Sequence, residues 1–378
     1  MMDCLIIGGG VIGLSLAREL ARQGQQVQVI DRQEPGREAS WAGAGMLPPA
    51  LFREGDPPLD QLAGLSHALH PHWAAELLDE TGVDTGFRRT GALYVARDDA
   101  GLTQLQADRH QWQRRGVRVE AIDRVALADI EPALATAEQP PLAACLLPDE
   151  HQLRNPRHVK ALVASCQRLG VTITPGVAAE DFRVQQGRVQ AVITVEGEIA
   201  AGAVCLAAGA WSGLVARRCG IELPVRPVRG QMVLFRAPRP VLRHIVNLGS
   251  RYLVPRDEGL ILAGSTEEEA GFECHTTAEG IAGLVELARS LVPALREATV
   301  ERTWAGLRPG NADGLPYLGR LPDLENAFVA AGHFRSGLHL SPGTAVVMSQ
   351  LIVGQPPQID LTPFRADRHE RISAPSHV

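Results

Sequence analysis

The stretch from Asp3 to Asp31 constrains the fold of this chain more than any other. It reads DCLIIGGGVIGLSLARELARQGQQVQVID: a short apolar run, a group of glycines, apolar residues at helical spacing, and a second apolar run that ends in an acid. Gly8, Gly10 and Gly13 follow the order G-x-G-x-x-G. The first glycine permits a tight turn, the second lets the backbone approach a pyrophosphate, and the third lets the helix pack closely on the strand. The pattern predicts a strand-turn-helix-strand unit that binds a dinucleotide.

The two ends of this unit supply the expected contacts with the ligand. Free N–H groups and the positive end of the helix dipole favour phosphates at the helix N-terminus. Asp31, at the end of the second strand, can accept the ribose hydroxyls. The motif alone leaves a flavin and a nicotinamide dinucleotide equally open.

Length and charge limit the class of protein. A chain of 378 residues is long for one core and suits two domains. A net charge of -6, without a basic block, argues against a nucleic-acid surface. No apolar run reaches the ~18 residues needed to span a bilayer, and no signal peptide is visible. We therefore expect a cytoplasmic protein.

Cysteine and histidine usage indicates no metal site. The six cysteines contain no C-x-x-C pair and are expected to be mostly buried, reduced thiols. His67, His70 and His72 lie close together in sequence, but no carboxylate or cysteine accompanies them.

In two further stretches, small residues would let the protein backbone come close to a bound ligand. After Asp31 the chain is rich in Gly, Ala and Ser, and small residues leave main chain exposed. The run Val204 to Ala208 reads as a buried strand, and Gly209, Ala210 and Trp211 follow at its carboxyl end, where open α/β sheets bind ligands.

Three helix starts have capping signals. We expect Asn155 to cap a helix that has Pro156 in its first turn, Thr276 and Glu279 to form a capping box, and Ser341 to cap a helix ahead of Pro342.

From Val225 the sequence alternates in the manner of strands, and this predicts an antiparallel sheet with helices on one face. We predict an α/β protein in which this second domain is inserted into the first. The dinucleotide-binding domain is expected over residues 1–88, 149–222 and 303–365, the substrate domain over 89–148 and 223–302, and a tail over 366–378.

Two arginines stand in mostly uncharged, glycine-punctuated segments. Arg308 lies in WAGLRPGNADGLPYLG and Arg335 in AGHFRSG. A guanidinium taken from water needs a carboxylate or phosphate partner. That partner is either an internal acid or an anionic ligand, and the residues leave both open.

Six motifs in order carry a family resemblance: GGGVIG, SWAGAGML, VRPVRGQM, RYLVPR, WAGLRPGNADGLPYLG and AGHFRSG. Together, from residue 3 to about residue 354, the chain resembles the glycine oxidases of the D-amino-acid oxidase superfamily, which supply thiazole synthesis in bacteria. The resemblance implies a Rossmann-like FAD-binding domain of the glutathione-reductase type with an inserted antiparallel-sheet α+β substrate domain. It also implies non-covalent FAD, since related sarcosine oxidases attach flavin through a C-terminal cysteine and none follows Cys274 here.

The resemblance implies a set of site residues. Arg308 would clamp the substrate carboxylate, with Arg335 nearby and Tyr252 closing the pocket. Besides Gly8, Gly10 and Gly13, the implied FAD contacts are Val11, Ile12, Asp31, Arg32, Ala39, Ser40, Ala44, Gly45, Met46, the backbone of Val177, His333, Phe334, Arg335, Ser336, Gly337, Leu338 and His339.

The implied reaction is oxidative deamination of glycine, sarcosine and small D-amino acids by hydride transfer to flavin N5. Oxygen would be reduced to hydrogen peroxide, and the imine would hydrolyse to glyoxylate and ammonia or pass to a thiazole synthase. No side chain is indicated as nucleophile or general base, which leaves solvent to take the ammonium proton. We also expect a homo-oligomer.

The sequence leaves three alternative functions open. They are a D-amino-acid dehydrogenase with a quinone acceptor, a sarcosine oxidase, and a dinucleotide-binding module without turnover. Glu267, Glu268 and Glu269 form a charge run that is typical of a solvated face. An inward-pointing Glu267 would instead alter which amines are accepted.

Overall fold

Two sheets organise residues 2–369, the part of the chain that the computed structural model describes. The strands are β1 (Cys4–Ile7), β2 (Val27–Asp31), β3 (Met46–Leu47), β4 (Ala92–Ala96), β5 (Glu120–Asp123), β6 (Ala143–Leu147), β7 (His151–Gln152), β8 (Thr172–Pro175), β9 (Asp181–Gln185), β10 (Arg188–Thr194), β11 (Gly197–Ile199), β12 (Ala203–Leu206), β13 (Arg226–Arg236), β14 (Ile245–Leu248), β15 (Arg251–Pro255), β16 (Leu260–Gly264), β17 (Thr299–Gly310), β18 (Tyr317–Arg320) and β19 (Ala327–Ala331). The α-helices are α1 (Val11–Arg22), α2 (Ala39–Ala42), α3 (Pro58–Thr81), α4 (Asp99–Arg114), α5 (Arg124–Ile130), α6 (Pro132–Ala135), α7 (Asn155–Arg168), α8 (Ser212–Arg217), α9 (Ala278–Leu291) and α10 (Gly337–Ile352).

The first sheet has six strands in the order β18-β19-β12-β1-β2-β8. All neighbours are parallel except β18 and β19, which are antiparallel. Residues 4–7 of β1 are completely buried, because helices α1, α3, α7 and α10 cover one face and the three-stranded sheet β11-β10-β9 covers the other. A strand buried on both faces is apolar throughout, as the sequence indicated for β1 and β12.

The second sheet has eight strands in the order β17-β13-β16-β15-β14-β4-β6-β5. Its described pairs are antiparallel except β14 with β4, which are parallel. Helix α9 packs on one face through Leu284, Ala288 and Leu291, against Val233 and Phe235 among others. The opposite face looks toward the first sheet. The predicted class, an α/β fold with a dinucleotide-binding sheet and a mostly antiparallel second sheet, is confirmed.

The chain contributes to the second sheet in two passages, 92–147 and 226–310. The domain boundary predicted at 302/303 falls inside β17, which runs along β13 from Arg236 to Arg226. Of the predicted tail, residues 370–378 lie outside the described range. Arg368 packs on the first domain, where its guanidinium lies 3.7 Å from the centroid of the Tyr317 ring.

Two of the three predicted caps are displaced by one residue. Arg154, and not Asn155, is the N-cap of α7, because the Asn155 side chain points across to donate to the carbonyl of Ser40 at 2.8 Å. Thr277, and not Thr276, caps α9, and its hydroxyl accepts from the backbone N–H of Gly280 at 3.2 Å.

The third cap is also wrong, because α10 begins at Gly337 and contains both Ser341 and Pro342. A proline inside a helix leaves the carbonyl four residues earlier without its usual donor. The hydroxyl of Ser341 donates to that carbonyl, Leu338 O, at 2.9 Å. Ser341 and Pro342 therefore lie inside helix α10, where the serine hydroxyl satisfies the free carbonyl, and they do not mark the start of the helix.

All six cysteines are free thiols, and Cys4, Cys145, Cys166 and Cys205 are buried. This confirms the expectation for most of them. Across residues 2–369, none of the helices has both the length and the apolar character required to cross a bilayer.

Candidate active site

A cavity of about 680 Å³ lies between the two sheets. Every site residue expected from the sequence lines this cavity except Gly13. The residues come from the glycine turn, the 39–46 loop, strands β15 and β17, and the start of α10. The fold therefore brings together segments that are more than three hundred residues apart in sequence, from Gly8 to His339.

The glycine turn is shaped by contacts that exclude a side chain. Gly8 has φ +116°, and a Cβ there would lie 2.4 Å from the carbonyl oxygen of Ala207. A Cβ on Gly13 would lie 2.0 Å from the carbonyl oxygen of Gly8. At Gly10 it would meet only Ser40 Oγ, at 3.2 Å. Gly8 and Gly13 thus keep helix α1 against the strand, and Gly10 leaves the helix N-terminus open to a ligand.

Asp31 closes the far side of the turn. Its carboxylate accepts from the backbone N–H of Gly9 at 2.7 Å and of Gln33 at 2.9 Å. Burial raises the pKa of Asp31, and these two hydrogen bonds oppose that effect. The backbone N–H of Val177 donates to the carbonyl of Asp31 at 2.8 Å, so Val177 has only its carbonyl left to offer a ligand.

The 39–46 loop is fixed from several sides. Ser40 Oγ accepts from the backbone N–H of Val11 at 2.8 Å. Gly45 has φ +72°, and a Cβ there would lie 2.0 Å from Leu153 O. The guanidinium of Arg256, from the second sheet, donates to the carbonyl of Ala44. The loop therefore has a single shape along the cavity wall.

These features fit FAD. The turn has the glycine cradle, the first turn of α1 has no acidic residue to repel a phosphate, and Asp31 stands at the position of a ribose acceptor. The side chain of Arg32 lies 3.6 Å from the centroid of the Trp211 ring and makes a wall at the same end.

Arg308 presents a guanidinium with neutral partners to the cavity. Its Nη2 donates to Ser265 Oγ at 2.6 Å and its Nη1 to the carbonyl of Thr266 at 3.2 Å. Within the described part of the chain Arg308 forms no ion pair. Burial lowers the pKa of Arg308, and the charge of Arg335 acts in the same direction, while Tyr252 and the charge of Glu267 act in the opposite direction. A largely buried guanidinium without a charged partner is suited to bind an anionic ligand.

Arg335 differs from Arg308 because it already has an acidic neighbour. Its Nη1 lies 3.6 Å from Glu267 Oε2, and its Nη2 donates to the carbonyl of Ser250 at 3.0 Å. Both side chains of this ion pair are partly solvated. Tyr252 is buried in β15 and donates to Met232 Sδ at 3.5 Å, so it forms part of a strand wall.

The three consecutive glutamates do not behave alike. Glu267 and Glu269 are exposed, as a solvated face predicts, and Glu269 pairs with Arg226 at 2.5 Å. Glu268 turns inward, where it accepts from Arg229 Nε at 3.0 Å and from Gln231 Nε2 at 2.8 Å. The expectation of a solvated run is wrong for Glu268, because a largely buried arginine needs its charge.

Sequence reasoning missed the cavity residues Tyr94, Met232 and Asn247. All three belong to one row across the second sheet, in which Tyr94 pairs with Asn247, Asn247 with Tyr252, Tyr252 with Gly264, and Gly264 with Met232. Strand alternation could have placed Tyr94 on one face together with Ala92. It could not have said which strands lie beside it.

Buried and half-buried histidines surround His339 at the end of the cavity. The rings of His67 and His151 stack with centroids 5.0 Å apart, and His70 Nε2 lies 2.9 Å from the carbonyl of His339. Burial lowers the pKa of His67 and of His70 to about 4. Among residues 2–369 no group of His, Cys, Asp or Glu is arranged to hold a metal ion.

The fold and the cavity define a flavoprotein oxidoreductase. Residues 3–351 match the family described as FAD dependent oxidoreductase. A glycine oxidase from Pseudomonas putida is 39% identical over 95% of this chain and 97% of that protein. The crystal structure of glycine oxidase from Geobacillus kaustophilus superposes with a TM-score of 0.92 at 33% identity, over 97% of this chain and 98% of that one.

The chain belongs to the FAD-dependent oxidoreductase family, and it is a glycine oxidase-like FAD-dependent oxidase. This finding removes the alternative of a dinucleotide-binding module without turnover. A third relative, the bifunctional protein ThiO/ThiG of Trichormus variabilis, is 33% identical over 98% of this chain, which covers 55% of that longer protein.

Proposed function

We propose that this enzyme oxidises glycine and other small amines, including sarcosine and small D-amino acids. The observation that carries the proposal is Arg308, whose guanidinium lines the cavity and donates to two neutral groups, Ser265 Oγ and the carbonyl of Thr266. A planar guanidinium binds a carboxylate through two parallel hydrogen bonds. An amino acid held in this way has its α-carbon fixed in orientation.

The walls beside Arg308 support a small substrate. Tyr252 and Met232 pack against each other on one side, and Arg335 is already engaged by Glu267 on another. A methyl group is worth only ~1–3 kcal/mol of discrimination, so glycine and sarcosine are both expected as substrates.

FAD bound in the cavity would supply a two-electron acceptor for the substrate Cα–H, with O2 as the final acceptor and hydrogen peroxide as the product. The protein chain itself binds the cofactor and the substrate and holds them in a fixed orientation. Helix α10 begins at the cavity, and the positive end of its dipole stabilises negative charge placed there. Arg308 fixes the carboxylate, and Tyr252 limits movement beside it.

The product of glycine oxidation is an imine, which hydrolyses to glyoxylate and ammonia or passes to a thiazole synthase for the thiazole of thiamine. The relative from Trichormus variabilis, which is named as a bifunctional ThiO/ThiG protein, supports this second fate. A transfer of this kind would require contact with the partner enzyme.

Anaerobic addition of glycine to the purified holoenzyme tests the proposal. Glycine should bleach the flavin absorbance, and air should restore it with formation of peroxide. Sarcosine and D-alanine are compared under the same conditions. A flavin that none of these amines bleaches would contradict the proposal.

The same assay separates an oxidase from a quinone-linked dehydrogenase. A dehydrogenase would be bleached by the amine but would form little peroxide in air, and it would recover its colour on addition of a soluble quinone. Rapid recovery in air alone, with stoichiometric peroxide, would support the oxidase.

Arg308→Lys tests the clamp. Lysine keeps the charge but loses the planar fork, so KM for glycine should rise roughly 10- to 100-fold. Arg335→Lys is the matched control and should change KM much less, because Arg335 already has Glu267 as a partner. Equal effects in the two variants would contradict the assignment of Arg308.

A further inference from the structure

An ion pair at the edge of β13 has no part in the function described above. Arg229 is largely buried and pairs with Glu268, whose Oε2 accepts from Arg229 Nε at 3.0 Å. Glu268 Oε1 accepts from Gln231 Nε2 at 2.8 Å. Burial raises the pKa of Glu268. Hydrogen bonds from Thr266, Arg229 and Gln231 outweigh burial and hold this pKa below its ordinary value. The carboxylate therefore stays ionised at neutral pH and binds three neighbouring residues.

The ion pair and the guanidinium of Arg308 lie on opposite faces of the second sheet. Side chains alternate between the two faces of a strand, so Arg229 and Gln231 stand on one face of β13 and Gly230, between them, stands on the other. Gln231 Nε2 donates to Thr277 Oγ1 at 2.9 Å, and Thr277 is the residue that caps helix α9. On the other face, a Cβ on Gly230 would meet the guanidinium of Arg308. The ion pair is therefore on the helix side of the sheet and Arg308 is on the cavity side.

The segment 265–268 joins these two sides. Strand β16 ends before its partner β13 does, and the segment continues along the edge of β13 that β16 leaves free. Thr266 Oγ1 accepts from the backbone N–H of Gln231 at 2.9 Å. Arg229 and Glu268 exchange two backbone hydrogen bonds, of 2.9 and 3.0 Å. The side chain of Glu268 adds its own contacts to this attachment.

The same segment supplies the acceptors that orient Arg308. Arg308 Nη2 donates to Ser265 Oγ at 2.6 Å, and Nη1 donates to the carbonyl of Thr266 at 3.2 Å. A guanidinium is planar and rigid, so two fixed acceptors also fix the direction of its remaining N–H groups. The position of residues 265–268 consequently decides where Arg308 can hold a carboxylate.

We propose that Glu268 is a positioning residue for the substrate carboxylate: its contacts with Arg229 and Gln231 hold the segment 265–268, and the segment holds the plane of the Arg308 guanidinium. The inference rests on the proposed oxidation of small amino acids, and it adds a residue that sets affinity without touching the substrate. Glu268 lies outside the residues that line the cavity, so its effect passes through Arg308. A largely buried ion pair adds little net stability, because desolvation offsets the attraction, but it permits few alternative geometries.

Steady-state kinetics of the holoenzyme tests the inference. Glu268→Gln keeps the volume of the side chain and removes its charge. KM for glycine, or for whichever amine bleaches the flavin fastest, should rise roughly 10-fold, because the guanidinium loses its fixed orientation. The kcat and the flavin content should stay within about 2-fold of the wild type, since the carboxylate is bound alike in the ground state and the transition state. Glu269→Gln is the matched control in the same segment, because Glu269 is exposed and pairs with Arg226, and its KM should equal that of the wild type.

Removal of both charges separates positioning from stability. Glu268→Gln leaves Arg229 largely buried without an acid, so its Tm should fall. Arg229→Met combined with Glu268→Leu replaces the ion pair by apolar side chains, and such a replacement commonly restores stability. We expect the Tm of this double variant to recover while KM stays roughly 10-fold above the wild type. Recovery of KM together with Tm would overturn the inference.

A second combination asks whether Glu268 acts through Arg308. In Arg308→Lys the planar fork is already lost, so adding Glu268→Gln should raise KM by less than about 2-fold further. The full 10-fold effect in this background would place the action of Glu268 elsewhere and would overturn the inference.

Two measurements need no turnover. Glycolate carries the same carboxylate as glycine, and its Kd, measured from the perturbed flavin spectrum, should rise in Glu268→Gln by the same factor as KM. A crystal structure of Glu268→Gln should show the Arg308 guanidinium displaced from Ser265 Oγ and the carbonyl of Thr266. An Arg308 that keeps both hydrogen bonds would overturn the inference even if no amine were oxidised. Bleaching by glycine with a wild-type KM in Glu268→Gln would overturn the inference and leave the proposed function intact.

Discussion

The guanidinium of Arg308 occupies the space that a side chain on Gly230 would fill. A Cβ built on Gly230 would lie 2.2 Å from both terminal nitrogens of Arg308. The two residues belong to neighbouring strands, β13 and β17, which run antiparallel. The missing side chain at one position therefore determines where the cation stands at the other.

Gly230→Ala should displace Arg308 without changing its charge. We expect KM for glycine to rise at least 10-fold while the flavin content stays the same, because the guanidinium must leave the position that suits a carboxylate. Steady-state kinetics and the flavin-to-protein absorbance ratio measure the two quantities. Gly283→Ala is the control, since a Cβ there meets nothing within 4 Å. Equal KM values in the two variants would contradict this account.

Gly13→Ala should prevent FAD binding. The added Cβ would lie 2.0 Å from the backbone carbonyl oxygen of Gly8, and a backbone atom in a buried turn cannot move aside cheaply. We expect a colourless or largely unfolded protein, judged by flavin absorbance and by the circular dichroism spectrum. A fully yellow Gly13→Ala protein would show that helix α1 need not lie so close to the strand.

Glu267→Gln should change the choice of substrate more than the rate. The substitution removes the acidic neighbour of Arg335 Nη1 and leaves a cation at the cavity. The ratio of kcat/KM for D-aspartate over glycine should therefore rise, although solvent screening limits the gain at this exposed pair. Glu269→Gln is the matched control, because Glu269 pairs with Arg226 and is exposed. An unchanged ratio in Glu267→Gln would remove Glu267 from the substrate side of the cavity.

The buried histidines should make the fold sensitive to acid. Burial lowers the pKa of His70 from 6.5 to about 4. Between these two pH values, His70 is protonated in the unfolded chain and neutral in the folded chain. The free energy of unfolding should consequently fall as pH drops from 6.5 toward 4, by about 2 kcal/mol for His70 alone at pH 5. Chemical unfolding at several pH values measures this loss.

His70→Phe keeps a ring but cannot take a proton. It should reduce the slope of stability against pH in this range, whatever its effect on stability at neutral pH. His72→Asn is the control, since His72 is exposed on the same helix, and its slope should match that of the wild type. A steeper slope in His70→Phe than in the wild type would be opposite to the expectation.

The sequence by itself determined the parts of this protein in which the physical requirement is local. G-x-G-x-x-G demands particular backbone positions within six residues, and a strand buried on both faces must be apolar, so the dinucleotide unit and its cofactor class could be inferred. The motif series from residue 3 to about 354 carried the family resemblance, and this was confirmed. Local signals were less secure where a side chain had a distant partner, as with Asn155, which donates to Ser40.

Only the tertiary structure decided which side chains meet across the cavity. Tyr94, Asn247 and Tyr252 stand side by side because β4, β14 and β15 are neighbours in register, although β4 lies about one hundred and fifty residues before the other two. Glu150 reaches Tyr94 from a turn outside that row. Strand alternation gives each residue a face, but the order and register of strands depend on the packing of the whole sheet. The composition of the cavity wall is a property of that packing.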